Sequence, residues 1–308
     1  MRGFFVPWNS SRDYHRAMAS ILLIGPGAIG ATLAAWLAQD DRHDVAVAAR
    51  TAFDSLEVQT PEGVIRAKPR VYTEFSQVRP VDWVLVATKA YDSDAAAQWF
   101  PTACGPRTRV AVIQNGVEHV ARFQKYIEPA RIVPVMIDMP ADRLSPGRTI
   151  QHGPAHMVVP AGRNGADFLQ LFAHTNFDAK PTDDFVSAVW RKLCLNSSGA
   201  ISAVLLKPAG IVHHEGVAEA MRTLIRECIA VGRAEGAKLE DEIADDLIER
   251  AKRGPRDGAN SMLADRRAGR PMEYDARNGV IVRLGRKHGI AAPMNSLMVS
   301  LLEAAQQS

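Results

Sequence analysis

A glycine pattern close to the start of this 308-residue chain limits its possible folds more than any other segment does. Gly25, Gly27 and Gly30 form a G-x-G-x-x-G sequence directly after the short apolar run 20–24. That run is typical of a buried parallel strand, and the residues from Ala28 to Gln39 predict a helix. Such glycines allow a tight turn and let the backbone approach a pyrophosphate, which the N-terminus of the helix attracts. The expected dinucleotide-binding residues are Gly25, Gly27, Ala28, Ile29 and Gly30.

Other interpretations of this segment are weaker. One alternative is that the glycines only pack a strand on a helix, but pattern and context agree on a binding loop. The uncharged run from Ile21 to Ala38 approaches the length of a membrane span, yet Pro26 and the glycines interrupt its first half. Cleavage of a signal peptide after the run would remove the glycine pattern. Residues 1–17 are polar and irregular, and we expect them to be an extension outside the fold, with Met18 as the native start.

Up to about residue 183, short apolar runs alternate with helical segments. Further strands are predicted at 45–49, 82–88, 109–113, 131–137, 149–152 and 156–160, helices at 92–99, 117–125 and 165–174, and a hairpin within 57–70. Strands that alternate with helices predict an α/β domain of the Rossmann type with a doubly wound, mostly parallel sheet.

Beyond residue 183 the chain becomes helical, with glycines where helices are expected to end. Helices are predicted at 185–206, 217–235, 241–252, 261–268, 275–288 and 293–306. The expected organisation is therefore an extension at 1–17, an NADP-binding Rossmann domain at 18–183, and an all-α substrate and catalytic domain at 184–308.

The residue after the second strand indicates which dinucleotide binds. Enzymes that use NAD usually place a carboxylate there, about 20 residues beyond the glycines, to bind the ribose 2′-hydroxyl. This chain has Arg50, preceded by Ala48 and Ala49, with no carboxylate nearby at that strand end. A guanidinium can bind a 2′-phosphate through a forked, charge-assisted contact. Arg50 thus favours NADPH/NADP+ as the cofactor over the alternative of a solvated surface arginine.

Two other strand ends carry polar residues. Lys89 follows one predicted strand, and Gln114-Asn115-Gly116 follows the next. In open α/β sheets, ligands bind at the carboxyl ends of the strands. We therefore expect Lys89 and Asn115 to contact the cofactor, with Asn115 also within reach of the substrate.

The helical half contains candidate catalytic residues. Lys192 and Asn196 are four residues apart and share one face of a helix near the domain junction. A lysine there could donate a proton to a substrate oxygen, although the spacing also fits a solvated lysine. Farther on, Ser261 and Glu273 are separated by a helix break at Gly269 and Pro271, which lets Glu273 point in a new direction. The alternative is that Glu273 only complements a helix dipole.

Together these residues resemble the ketopantoate reductase (2-dehydropantoate 2-reductase) family, from about Ser20 to the C-terminus. The matching segments are the glycine loop, Arg50, Thr88-Lys89-Ala90, Asn115-Gly116, Trp190-Arg191-Lys192-Leu193 with Asn196, and Ser261-Met262-Leu263-Ala264-Asp265 with Glu273. The resemblance implies NADPH-dependent reduction of a 2-keto acid to a 2-hydroxy acid, namely 2-dehydropantoate to (R)-pantoate in pantothenate (coenzyme A) biosynthesis.

The resemblance also implies roles for the candidate residues. Lys192 would be the general acid, and Glu273 would orient the substrate or support the lysine. Ser261 would bind the substrate carboxylate and Asn196 its polar end, while Asn115 and Lys89 would lie along the cofactor. We accordingly expect Lys192 and Glu273 to meet across the cleft between the domains.

One position departs from the family. Where the family often has a second asparagine, this chain has Ala200, and Ser197, Ser198 and Ser202 do not share its helical face by simple spacing. The departure leaves 2-keto acid chemistry intact but keeps open a different, more apolar 2-keto acid. A β-hydroxyacid dehydrogenase is a second alternative, and a non-catalytic NADP(H)-binding sensor is a third.

Composition excludes other classes of protein. The formal net charge of +3 is spread without a basic block, so nucleic-acid binding is not expected. Three cysteines far apart, with no metal-binding spacing, predict reduced thiols, no metal site and a cytoplasmic protein. We expect a small 2-keto acid as the partner and no membrane association, and we leave a homodimer open.

Overall fold

The computed structural model describes residues 19–307, so the predicted extension at 1–17 lies outside the described residues. The strands are β1 (Ala19–Ile24), β2 (His43–Ala48), β3 (Leu56–Thr60), β4 (Gly63–Ala67), β5 (Arg70–Tyr72), β6 (Val81–Val86), β7 (Cys104–Val112), β8 (Ile132–Pro134), β9 (Met136–Asp138), β10 (Ala141–Ser145), β11 (Arg148–Gln151), β12 (His156–Pro160) and β13 (Asp178–Thr182). Within this range, six of them form a parallel sheet in the order β5-β2-β1-β6-β7-β8.

The central strands of this sheet are apolar on both faces. In β1, Ile21 and Leu23 belong to one hydrophobic cluster, whereas Leu22 and Ile24 belong to a second cluster on the opposite face. A parallel strand that is covered on both sides needs apolar residues at every position, which explains the unbroken apolar run in the sequence. The register pairs Ile21 with Trp83, so the carboxyl ends of β1 and β6 lie side by side.

Five helices belong to this half of the described chain: α1 (Ala28–Leu37), α2 (Ser93–Ala97), α3 (Phe100–Ala103), α4 (His119–Phe123) and α5 (Arg163–Leu171). Helix α1 directly follows the glycine loop and buries most of its residues. Helices α2 and α4 are shorter than the sequence predicts. Residues 90–92 before α2 form a turn of 3-10 helix instead.

Two small sheets extend the α/β half. One has the order β10-β11-β3-β4 and contains the predicted hairpin as the antiparallel pair β3 and β4. The other has the order β13-β12-β9. The single strand predicted at 131–137 is therefore wrong, because β8 completes the main sheet while β9 pairs with β12. Strands β5, β10 and β13 are not among those predicted from the sequence.

The remaining described residues are helical: α6 (Phe185–Ser198), α7 (Ala200–Leu205), α8 (Glu215–Ala234), α9 (Ile243–Arg253), α10 (Ser261–Arg267), a π-helical turn (Asp275–Gly279), α11 (Val280–Lys287) and α12 (Pro293–Gln307). They pack around their own apolar core, in which Leu193, Leu224 and Leu302 are fully or almost fully buried. The predicted helix 185–206 is interrupted at Gly199, whose carbonyl accepts a 3.0 Å hydrogen bond from Asn260 Nδ2.

The predicted fold class, a Rossmann-type α/β half followed by an all-α half, is confirmed. The uncharged run from Ile21 to Ala38 is divided between β1 and α1. Across residues 19–307, no helix combines the length and the apolar character that crossing a membrane would need.

Candidate active site

The glycine loop closes tightly between β1 and α1. Gly25 has φ of +90°, which favours glycine, and a Cβ there would lie 2.8 Å from the backbone nitrogen of Thr88. A Cβ on Gly30 would lie 2.2 Å from the carbonyl oxygen of Gly25. These two glycines are therefore required by the packing of the loop itself.

Gly27 differs from its two neighbours in the pattern. It is the N-cap of α1, and a Cβ built on it would meet no atom within 4 Å. The packing of the chain therefore does not require glycine at position 27. The close approach of an external group, such as a phosphate, would require it. The first-turn N–H groups of α1 at Ala28 and Ile29 have no acceptor within their own helix, so this open side attracts an anion.

Arg50 follows β2 with its side chain 81% exposed, and its guanidinium forms an ion pair with Asp92. Asp92 lies just beyond the carboxyl end of β6, next to β1 in the sheet. The expectation that no carboxylate lies near this strand end is thus wrong in three dimensions, because the turn after β6, two strands away in the sheet, supplies Asp92. An exposed arginine with a carboxylate partner remains free to exchange that partner for another anion.

Glu273 connects the helical half with the ends of β6 and β7. Its carboxylate accepts hydrogen bonds from the Ala90 N–H at 3.0 Å and from Asn115 Nδ2 at 3.0 Å, and Lys89 Nζ lies 3.3 Å away. Lys89 Nζ also donates to Asp265 at 2.7 Å. Lys89 and Asn115 therefore lie together at adjacent strand ends, where they hold two carboxylates of the helical half.

The pKa of Glu273 reflects opposing effects. Burial raises the pKa, but the charges of Lys89 and Arg277 and the hydrogen bonds from Ala90 and Asn115 lower it more, so the pKa lies below its ordinary value. Glu273 is consequently ionised near neutral pH, as an acceptor rather than a proton donor.

Lys192 lies on the buried side of α6. Its ammonium donates to the carbonyl oxygen of Ile137 in β9. Burial lowers the pKa of Lys192 to about 8, and the positive charge of Arg277 adds to the lowering, while Asp138 and Glu273 oppose it. A cavity of about 10 Å³, the size of one water molecule, lies beside it. The polar residues that line this cavity are Gln114, Asn115, His119, Lys192 and Asn196.

The expected meeting of Lys192 with Glu273 is not observed as a direct contact. Glu273 is bound to Lys89, Ala90 and Asn115, whereas Lys192 is bound to Ile137. The two side chains point to different partners. Glu273 is held by residues that follow β6 and β7, whereas α6 directs Lys192 towards Ile137 in β9. The two groups still influence each other through space, since Glu273 raises the pKa of Lys192.

Ser261 begins α10 and is exposed. Its hydroxyl accepts a 2.6 Å hydrogen bond from Nη2 of Arg277, a buried arginine that the sequence analysis did not select. Arg277 lies within a predicted helix, and the sequence gives no signal that it points inwards.

Other residues missed from the sequence support the loop after β7. Arg122 Nη1 donates to the carbonyl of Asn115 at 2.9 Å, and His119 Nε2 lies 2.9 Å from the carbonyl of Gln114. Burial lowers the pKa of His119 to about 3, with the charge of Arg122 adding to the effect, so the ring is neutral. These two residues fix the position of Asn115.

Ala200 is fully buried in the helical core. The serines near it do not replace the missing asparagine, because Ser197 and Ser198 donate to carbonyls of their own helix at 3.0 and 2.9 Å. The described residues contain no group of three or more His, Cys, Asp or Glu side chains placed to hold a metal ion.

Comparison with known proteins adds independent information. The model of the family described as ketopantoate reductase PanE/ApbA matches residues 21–164, and the model of its C-terminal part matches residues 184–306. The 2-dehydropantoate 2-reductase of Caulobacter vibrioides is 54% identical, with 94% of this chain and 99% of that protein covered. The protein of the same name from Mycobacterium tuberculosis is 36% identical, with 92% of this chain and 97% of that protein covered. The crystal structure of a PanE/ApbA family ketopantoate reductase from Ralstonia eutropha JMP134 has a TM-score of 0.86 at 30% identity, with 94% and 98% covered.

Proposed function

Because this chain belongs to the ketopantoate reductase PanE/ApbA family, we propose that it reduces 2-dehydropantoate to (R)-pantoate with NADPH. The observation that carries the proposal is the shared cavity, which brings Lys192 and Asn196 of α6 to Asn115 at the end of β7. A proton donor of the helical half thereby lies beside the strand ends at which a dinucleotide is expected.

The residues present fit the proposed cofactor. Gly27 leaves open space at the start of α1, as a pyrophosphate requires, and Arg50 offers an exposed guanidinium for a 2′-phosphate. When bound, NADPH supplies the hydride that reduces the substrate carbonyl. In the proposal, Gly25, Gly27, Ala28, Ile29, Gly30, Arg50, Lys89 and Asn115 form the cofactor site.

The chain's own contribution is to orient the substrate and to move one proton. As C2 of the keto acid is reduced, its carbonyl electron pair moves onto the oxygen, which becomes negative. The Lys192 ammonium stabilises that charge and then gives the oxygen a proton, so that lysine is left neutral and the product is a 2-hydroxy acid. Asn196 binds the polar end of the substrate, and Glu273 holds Asn115 and Lys89 in place.

A substrate screen with purified protein tests this proposal. The absorbance of NADPH would be followed with 2-dehydropantoate, with a branched 2-keto acid that lacks the hydroxyl, and with a 3-hydroxy acid plus NADP+ for the reverse reaction. We expect the highest kcat/KM for 2-dehydropantoate and a much lower value when NADH replaces NADPH.

Each rival function predicts a different result. Preference for the branched acid would support the more apolar substrate that Ala200 leaves open. Oxidation of the 3-hydroxy acid alone would indicate a β-hydroxyacid dehydrogenase. NADPH binding without turnover of any of these compounds would favour the sensor. The homodimer that the sequence leaves open is tested separately, by the mass of the protein in solution.

A further inference from the structure

Arg277 occupies an unusual place in the helical half. It lies in the π-helical turn Asp275–Gly279, where the four consecutive residues from Ala276 to Gly279 are all buried. A π-helical turn contains one more residue than an α-helical turn, and such turns occur frequently at functional sites. The wider turn directs the guanidinium inwards, and the residue is only 3% exposed.

The guanidinium has more donors than partners. Arginine carries five N–H donors. One of them, on Nη2, is bound to Ser261 Oγ at 2.6 Å, whereas the buried Nε has no hydrogen-bond partner in the part of the chain that the structure describes. Over the same residues, no carboxylate forms an ion pair with Arg277. The charges of Glu273 and Asp265 act on Arg277 without forming an ion pair with it, and both carboxylates already bind Lys89. A buried donor without an acceptor is costly to a fold, which suggests that a ligand supplies the acceptor.

The surroundings of Arg277 indicate where that ligand would bind. Its partner Ser261 is exposed. The charge of Arg277 also lowers the pKa of Lys192. The guanidinium therefore lies near both the proposed proton donor and a hydroxyl that opens to solvent.

We propose that Arg277 binds the carboxylate of the 2-keto acid, with Ser261 as a second donor. This inference deepens the proposed function and rests on it. In a 2-keto acid the carboxylate carbon is bonded directly to the carbonyl carbon, so the group that binds the carboxylate must lie near the group that protonates the carbonyl oxygen. Arg277 holds the carboxylate, which does not react, and Lys192 faces the C2 oxygen, which receives the proton.

The assignment also explains how this chain recognises its substrate with Ala200 in the core. Ser197 and Ser198, close to Ala200 in the chain, donate their hydroxyls to carbonyls of their own helix. A buried guanidinium supplies a stronger carboxylate contact than a neutral amide or hydroxyl does. Binding would then depend strongly on the acid group, which every 2-keto acid carries.

The test compares a 2-keto acid with its uncharged methyl ester, using whichever 2-keto acid the wild-type enzyme reduces best. For Arg277→Met we expect KM for the acid to rise about 100-fold, which corresponds to the loss of a charged hydrogen-bonded contact. The ratio of kcat/KM for acid and ester should fall towards one. NADPH affinity should change less than about threefold. Arg277→Lys keeps the charge without the forked geometry, so its KM for the acid should lie between those of the wild type and Arg277→Met.

Arg266→Met is the matched control, because Arg266 also lies in the helical half but donates to the carbonyl of Val204 at 2.6 Å. We expect this variant to have a lower Tm and an unchanged ratio of kcat/KM for the acid and the ester. If Arg277→Met or Arg277→Lys leaves the ratio of kcat/KM for acid and ester unchanged, Arg277 has only a structural role and the proposal is overturned. The proposal is also overturned if neither variant folds. If the wild-type enzyme rejects 2-dehydropantoate but reduces another 2-keto acid, the proposed substrate fails while this test still applies.

Discussion

At the scale of single residues, burial determines the acid strength of Lys192. An exposed lysine has a pKa near 10.5, whereas burial lowers the pKa of Lys192 to about 8. A proton donor works best when its pKa is close to the pH of the reaction, because its proton is then present and also easily released. The carbonyl of Ile137 holds this ammonium in one orientation.

The pH dependence of turnover follows from this shift. In the proposed mechanism the ammonium is the active form, so kcat should be level below a pH of about 8 and fall tenfold per pH unit above it. Lys192→Ala should lower kcat by about 100-fold or more and should abolish this alkaline decline, with NADPH affinity almost unchanged. Steady-state kinetics from pH 6 to about 10 would check both effects. Near-normal turnover of Lys192→Ala would transfer the role to Lys89 or to water.

At the scale of elements, the glycine loop contains positions that serve different purposes. Gly30 is required by the loop, since a Cβ there would lie 2.2 Å from the Gly25 carbonyl oxygen. Gly27 is not required by the loop, since a Cβ there would contact nothing within 4 Å. Substitution of each glycine by alanine therefore distinguishes two effects: Gly30→Ala should change the stability of the fold, and Gly27→Ala should change the binding of the cofactor.

Gly30→Ala should destabilise the protein by about 1–3 kcal/mol, the usual cost of overpacking. Gly27→Ala should leave the free energy of unfolding within about 0.5 kcal/mol and weaken NADPH binding by at least about tenfold, since its methyl group occupies the approach of the phosphates. Urea denaturation measures the first quantity, and fluorescence titration with NADPH measures the second. Unchanged NADPH affinity in Gly27→Ala would remove this loop from the proposed cofactor site.

The elements also show what the sequence can predict. β1, α1 and their glycine loop are predictable because strand, turn and helix signals are adjacent in the chain. The separation of β8 from β9 is not predictable, because it depends on the sheet with which each half of one apolar run pairs. The inward direction of Arg277 depends on a π-helical turn that local propensities do not indicate. The pairing of Lys89 with Glu273 joins residues 184 positions apart, beyond the reach of any local pattern.

At the scale of the whole molecule, Lys89 joins the two halves by contacting Asp265 and Glu273, whose side chains are 7% and 3% exposed. Lys89→Met would leave two buried carboxylates near each other with less positive charge between them. We expect the free energy of unfolding to fall by about 2–4 kcal/mol. Arg191→Met is the control, because Arg191 and its partner Glu240 are both largely exposed, and it should cost about 1 kcal/mol or less.

The pH dependence of stability provides a second readout for Lys89→Met. In the folded protein the pKa of Glu273 lies below its ordinary value, so the ionised side chain stabilises the fold above a pH of about 4.5 and this contribution is lost as the pH falls. Without Lys89 the pKa of Glu273 should rise, so the stability lost on acidification should become smaller, and it would turn into a gain if the pKa passed its ordinary value. Equal unfolding curves for Lys89→Met and wild type from pH 4 to about 7 would mean that Lys89 does not join the halves.

The hydrogen bond between the Ala90 N–H and Glu273 spans 183 residues of sequence. During synthesis from the N-terminus, the α/β half can emerge from the ribosome and fold while Glu273 and Arg277 have not yet been added. A chain that ends before residue 273 would thus contain the complete glycine loop and lack the carboxylate that fixes Asn115 and Lys89. The contacts of Glu273 with Ala90, Asn115 and Lys89 therefore form late in the life of each molecule, after most of the chain has been made.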